Sequence, residues 1–191
     1  MSEYKNIKYK IKYFNLKNKI KKQHGGNNIV AISCFNPDID SEFKIKGTVN
    51  FTQDENIVKI EIKLSGLTPN HKHGFHIHEA GDLTDKCESA CAHFNPYKKK
   101  HGCPGKEDRH VGDLGNLETD NNGNVNIIMF DDIIKLNGIA NIIGRSLIIH
   151  KDTDDCGDGI GDLKDKSLLN GNAGKRIACA IIGYSKLNFK I

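Results

Sequence analysis

Val58, Ile60, Ile62 and Leu64 alternate with Lys59, Glu61 and Lys63, the two-residue period of a strand with one buried face. Further apolar stretches of strand length predict strands over 29–35, 43–51, 124–130, 146–150 and 177–183. Asn122-Gly123 is a hairpin-turn dipeptide, and no stretch of the domain shows the period of an amphipathic helix. Short strands with Gly-rich turns predict an all-β sandwich or barrel. Two long segments interrupt the pattern: residues 80–113 and residues 151–176, the latter with six aspartates between 152 and 165. Long connections without regular structure in a compact domain are usually functional. Near the N-terminus Ile7, Tyr9, Ile11 and Tyr13 alternate with Lys8, Lys10 and Lys12. An extended conformation there has one apolar and one cationic edge, the alternative being a solvated tail.

Charge separates that arm from the rest. Residues 1–28 carry eight lysines against Glu3 alone, a net +7, while the whole chain is +4, leaving −3 on residues 29–191. The expected organisation is a flexible basic extension, 1–28, on a mildly acidic domain, 29–191. Such an arm suits a polyanionic surface, in binding that salt weakens. No apolar run reaches the length of a membrane span, and no N-terminal apolar segment resembles a secretory signal, so the cytoplasm is the expected compartment. The 25 lysines against 3 arginines fit AT-rich coding, as in some large DNA viruses and protists, and say little about chemistry. Six cysteines in a reducing compartment predict free thiols.

Six of the nine histidines fall in four short runs, GFHIHEAGD, HFNP, HGCPGKEDRHVGDLGN and IIHKDTDD. His76 and His78 are two apart, so on a strand both leave one face; paired imidazoles suit Cu(II). Three histidines and an aspartate within 93–113 supply the four donors of a closed tetrahedral zinc site. Two four-coordinate metals need eight ligands and the motifs offer seven, so one histidine would serve both. A closed zinc leaves the chemistry to copper. A rival zinc set, Cys91, His93, His101 and Cys103, has Cys₂His₂ spacing but leaves Asp113 and His110 unused.

These motifs, with IIGRSLIIH and GNAGKRIAC, resemble in order and approximate spacing the Cu/Zn superoxide dismutases of the eukaryotic cytosolic type, from about residue 29 to 183. The resemblance implies an eight-stranded Greek-key barrel with a zinc loop and an electrostatic loop. It implies copper on His76, His78, His93 and His150, and zinc on His93, His101, His110 and Asp113, one of each metal per subunit, with His93 as the bridge. It further implies disproportionation of superoxide to oxygen and hydrogen peroxide. Arg176 would guide the anion and Asp154 would link a copper histidine to a zinc histidine. Cys87 and Cys179 would form a disulfide, leaving Cys34, Cys91, Cys103 and Cys156 unpaired. A homodimer and loading by a copper chaperone are expected with it. The electrostatic loop runs long around 163–170, and Leu168, Leu169 and Asn170 stand where relatives often carry lysine and threonine; Lys175 would compensate. The alternatives are a copper-chaperone or copper-buffering protein, or a silent scaffold, but the complete ligand set, Arg176 and the lack of a C-x-C motif argue against both.

Overall fold

The computed structural model describes residues 10–16, 28–36 and 43–189. Eight strands follow in order: β1 Ile29–Phe35, β2 Lys46–Asp54, β3 Ile57–Ser65, β4 Lys72–His78, β5 Asp113–Glu118, β6 Val125–Asp131, β7 Ser146–His150 and β8 Arg176–Tyr184. They pair antiparallel in the order β5-β4-β7-β8-β1-β2-β3-β6, a nearly closed barrel. The β3–β4 and β6–β7 connections cross between its halves, as in a Greek key. The alternation in β3 sets the register: Val58, Ile60, Ile62 and Leu64 are all buried, opposite Asp131, Met129, Ile127 and Val125 of β6. Phe51, Phe75, Ile77, Leu117, Leu147 and Ile149 fill the interior from other strands.

Two regions differ from the sequence expectation. The long part of the electrostatic loop is helical, a 3₁₀ turn at Gly161–Leu163 running into the helix Lys164–Asn170. Seven residues are too few to show a helical period. Residues 10–16 also form a helix, α1, where the alternation of Ile11 and Tyr13 predicts an extended chain. Phe14 is buried on the barrel, its ring centroid 5.8 Å from that of Phe130, and docking an aromatic side chain offsets the ordering cost of a short helix. The rest of the alternating stretch, with Ile7 and Tyr9, lies outside the described residues, as does His24. The loop helix is hereafter α2.

Two disulfides cross the loops. Cys87–Cys179 ties the zinc loop to β8 across 92 residues, a closure worth about 4–5 kcal/mol on the chain-entropy model. The expectation of free thiols fails for Cys103 and Cys156, which are bonded to each other with Cα atoms 4.9 Å apart. Tertiary contacts that bring the two long loops together juxtapose them. Cys34 and Cys91 are free and exposed.

Candidate metal centre

β4 carries His76 and His78 on its outer face, while Phe75 and Ile77 point into the core. Both loops fold over that face, and all six residues from His73 to His78 are buried. β7 pairs with β4 and ends at His150. His93 enters through an isolated bridge to His78. β5 begins with Asp113, opposite His76.

The ring nitrogens divide into two kinds. One nitrogen of each of several histidines is held by the protein. His76 Nε2 lies 2.7 Å from Asp154 Oδ2, and His101 Nε2 lies 2.8 Å from Asp154 Oδ1. His78 Nδ1 meets the Cys91 carbonyl at 2.9 Å, and His150 Nδ1 meets the Gly174 carbonyl at 3.1 Å. The other nitrogens face one another. His78 Nε2 and His150 Nε2 are 3.4 Å apart, and the buried Nδ1 of His76 has no hydrogen-bond partner.

Donor atoms of His76, His78, His93 and His150 gather within 4.8 Å of one another, as do those of His93, His101, His110 and Asp113. His93 belongs to both groups. In the second group His93 Nδ1, His101 Nδ1 and His110 Nδ1 lie 2.8, 3.1 and 3.2 Å from Asp113 oxygens. Ligands at zinc–nitrogen distances in a tetrahedron are about 3.3 Å apart, so the spacing and donor types fit zinc. The four-imidazole group fits copper. The rival Cys₂His₂ set is excluded: Cys103 is bonded to Cys156 and the Cys91 thiol is exposed, near the Ser89 carbonyl.

Electrostatics follow the same division. Burial, reinforced by the neighbouring His93, holds His76 near pKa 3 and His78 near 2. Burial also lowers His150 to about 4, against its bond to Gly174. These imidazoles are neutral at physiological pH, the state in which they bind metals. His101 behaves oppositely: burial alone would lower it, but hydrogen bonds to Asp113 and Asp154 raise it to about 9. Asp113 and Asp154 are desolvated, yet their histidine contacts pull both well below the ordinary carboxylate range. Two buried carboxylates thus supply negative charge for a cation to balance.

Asp154, rather than Asp152, Asp155 or Asp158, spans the two groups. Asn116 clamps its backbone, donating to the Asp154 carbonyl at 2.9 Å and accepting from its N–H at 2.8 Å. Gly171 crowds it: a Cβ there would lie 2.0 Å from Asp154 Oδ1 and 2.5 Å from His101 Nε2. Asn116 and Gly171 were not separable in sequence from the turn residues around them. Arg176 lies half-buried in the mouth of the site, donating to the carbonyls of Cys87 at 2.7 Å, Glu88 at 3.0 Å and Cys91 at 2.5 Å. A cleft beside it is lined by His150, Lys166, Gly174 and Lys175, so α2 brings a lysine to the entrance that the sequence did not single out. His73 supports the site from behind, its Nδ1 2.8 Å from the His150 carbonyl.

A barrel with two adjoining clusters of buried histidines, one completed by a carboxylate, defines a two-metal protein of the redox type. The family model for copper/zinc superoxide dismutase matches residues 45–182. A superoxide dismutase [Cu-Zn] of Paramecium bursaria Chlorella virus 1 is 57% identical over 148 residues, 78% of each chain. An extracellular superoxide dismutase [Cu-Zn] of Brugia pahangi is 52% identical over 141 residues, 74% of this chain and 70% of that one. The superoxide dismutase [Cu-Zn] of Candida glabrata is 45% identical over 143 residues, 74% of this chain and 91% of that one. The crystal structure of the clock protein EA4 superposes with a TM-score of 0.75 at 39% identity, covering 84% of this chain and 97% of that one. The chain belongs to the copper/zinc superoxide dismutase family. Its activity is that of an oxidoreductase acting on superoxide, with copper and zinc as cofactors.

Proposed function

We propose that His76, His78, His93 and His150 hold copper, that His93, His101, His110 and Asp113 hold zinc, and that His93 serves both. The observation that carries this reading is the membership of His93 in both buried donor groups. Bound copper supplies a one-electron couple, so that one superoxide leaves as oxygen and a second as hydrogen peroxide, and bound zinc supplies fixed positive charge beside it.

The side chains do the remaining work. His93 presents Nδ1 to the Asp113 side and Nε2 to the other group; whenever Nε2 is not engaged with copper it would take a proton from solvent and pass it to the reduced product. Asp154 fixes the orientation of His76 and His101 and sharpens their basicity. Arg176, pinned by three carbonyls, aims a guanidinium at the entrance, where it attracts and orients a small anion. Lys166 and Lys175 extend that positive rim on a domain that is otherwise mildly acidic.

The finer readings have separate support. A homodimer suits the apolar side chains exposed on and after β8, Ile181, Tyr184, Leu187 and Phe189. A cytoplasmic compartment and loading by a copper chaperone rest on the family resemblance. Residues 1–28 form an extension on a domain of residues 29–191 that contains every proposed ligand, and their lysines suit a polyanionic surface. Among the described residues no helix is long and apolar enough to cross a membrane.

Metal analysis of the loaded protein should return one copper and one zinc per subunit with copper-dependent removal of superoxide. Arg176→Ala should leave the metal content unchanged and lower the rate most at low ionic strength. A fully loaded but inactive protein would sink the assignment, and an unchanged salt profile would remove Arg176 from it.

A further inference from the structure

Cys103–Cys156 joins two peptide segments that separately grip the buried carboxylates. On the zinc loop, Gly102 N donates to Asp113 Oδ2 at 3.1 Å, beside His101 and next to Cys103. On the electrostatic loop, Cys156 N donates to Asp154 Oδ1 at 2.7 Å, the oxygen that also meets His101 Nε2. The crosslink therefore closes a ring through Asp113, His101 and Asp154. Other contacts between the loops run alongside it. His101 N donates to the Leu168 carbonyl at 2.9 Å, and Lys106 Nζ reaches the Cys156 carbonyl at 2.8 Å and Asp158 at 2.5 Å.

The position has two consequences. With the bond closed, the loops cannot part without moving Asp154 away from His101. With it open, that separation is opposed by hydrogen bonds and the Lys106–Asp158 ion pair, several of these contacts exposed to water and correspondingly weak. Both cysteines are partly accessible, and a surface groove lined by Lys100, Lys106, Glu107 and Leu168 reaches Cys156.

We propose that Cys103–Cys156 is a positioning crosslink for the zinc-side ligands, so that retention of zinc depends on the redox state of this pair. This rests on the zinc assignment above. Opening needs a reductant of the thiol class: two thiols give up two electrons, become a disulfide, and leave Cys103 and Cys156 as thiols. The crosslink acts through Asp154 and His101 and touches no reacting atom.

The test follows zinc release from the copper- and zinc-loaded protein into a chromophoric chelator. The double variant Cys103→Ser/Cys156→Ser should release zinc at least tenfold faster than wild type. Cobalt(II) in place of zinc should show altered visible bands in the variant, reporting changed ligand geometry. Val58→Ala, in the barrel core away from the site, controls for general loss of stability and should release zinc at the wild-type rate. Wild-type protein treated with a phosphine, which takes up oxygen from water as two thiols form, gives a second route needing no mutation. Thiol trapping and mass spectrometry then select molecules with Cys87–Cys179 intact, and these should match the double variant. Equal release with the bond open and closed overturns the crosslink's role while leaving the zinc assignment standing. Equal acceleration by Val58→Ala reduces the crosslink to general stability and also overturns it. Wild-type protein that takes up no zinc overturns the assignment and this inference with it.

Discussion

Strand β3 shows water the polar half of its alternation, with Glu61 and Lys63 opposite the buried Ile60 and Ile62, whereas β4 buries both of its faces. Both strands give apolar side chains to the same core. On the outside of β3, solvent satisfies the polar groups at no structural cost. On the outside of β4 the polar groups are imidazoles removed from water, and each must find a partner within the protein. Those partners come from the loops, Asp154 for His76 and the Cys91 carbonyl for His78, while His73 meets the carbonyl of His150 at the end of β7. Half of this molecule is therefore held by apolar burial, and the other half by crosslinks and directed polar contacts around buried charge.

The largest effect expected is on the loop-covered half. Replacing Cys87 and Cys179 by serine should lower the unfolding free energy by about 4–5 kcal/mol on the chain-entropy model, measured by denaturant titration. It should also loosen the Cys87 carbonyl that holds Arg176. A loss under 1 kcal/mol would show that the loops stay closed without the bond. Next, Ile60→Ala should cost about 2–5 kcal/mol through lost burial and a residual cavity, yet leave zinc and copper affinity at wild-type values in chelator competition. A parallel loss of metal affinity would erase the distinction between the two halves. Asp154→Asn keeps the shape of the side chain but turns one of its two acceptor oxygens, which serve His76 and His101 separately, into a donor. It should weaken metal affinity about ten- to a hundredfold, with a smaller effect on the barrel's denaturation midpoint. The smallest effect concerns Cys91, whose φ of 64° and ψ of −148° lie in a region that favours glycine. Cys91→Gly should raise stability by about 1 kcal/mol or slightly more, read as an increase in Tm at unchanged metal content.

The same contrast explains what the sequence made legible. β3 could be located because Val58 to Leu64 repeat with a period of two, and β1 and β7 coincide with the stretches 29–35 and 146–150. β5 has no such signature. Its buried Leu114 and Leu117 are three apart, with Gly115 at φ +81° between them, and its pairing with β4 shifts register between Gly74 and His76. The proposed metal donors were visible because histidine is rare and here concentrated, although proposing His93 as the shared one required the family resemblance. Cys103 and Cys156 were invisible as a pair because their proximity depends on two aperiodic loops converging on Asp154. Helix α1 was obscured for another reason: Ile11 and Tyr13 carried the alternation, while Phe14 makes the buried contact.

The Cys91 carbonyl oxygen accepts from both His78 Nδ1 and Arg176 Nη2. Orientation of His78, a proposed copper ligand, and placement of the Arg176 guanidinium in the mouth of the site are therefore referred to a single main-chain atom. Changes at His78 and Arg176 should not be independent, and a double-mutant cycle between them should leave a residual coupling. Because the shared atom belongs to the backbone, the side chain at position 91 can drift through evolution with little consequence for the chemistry. The peptide that carries it cannot.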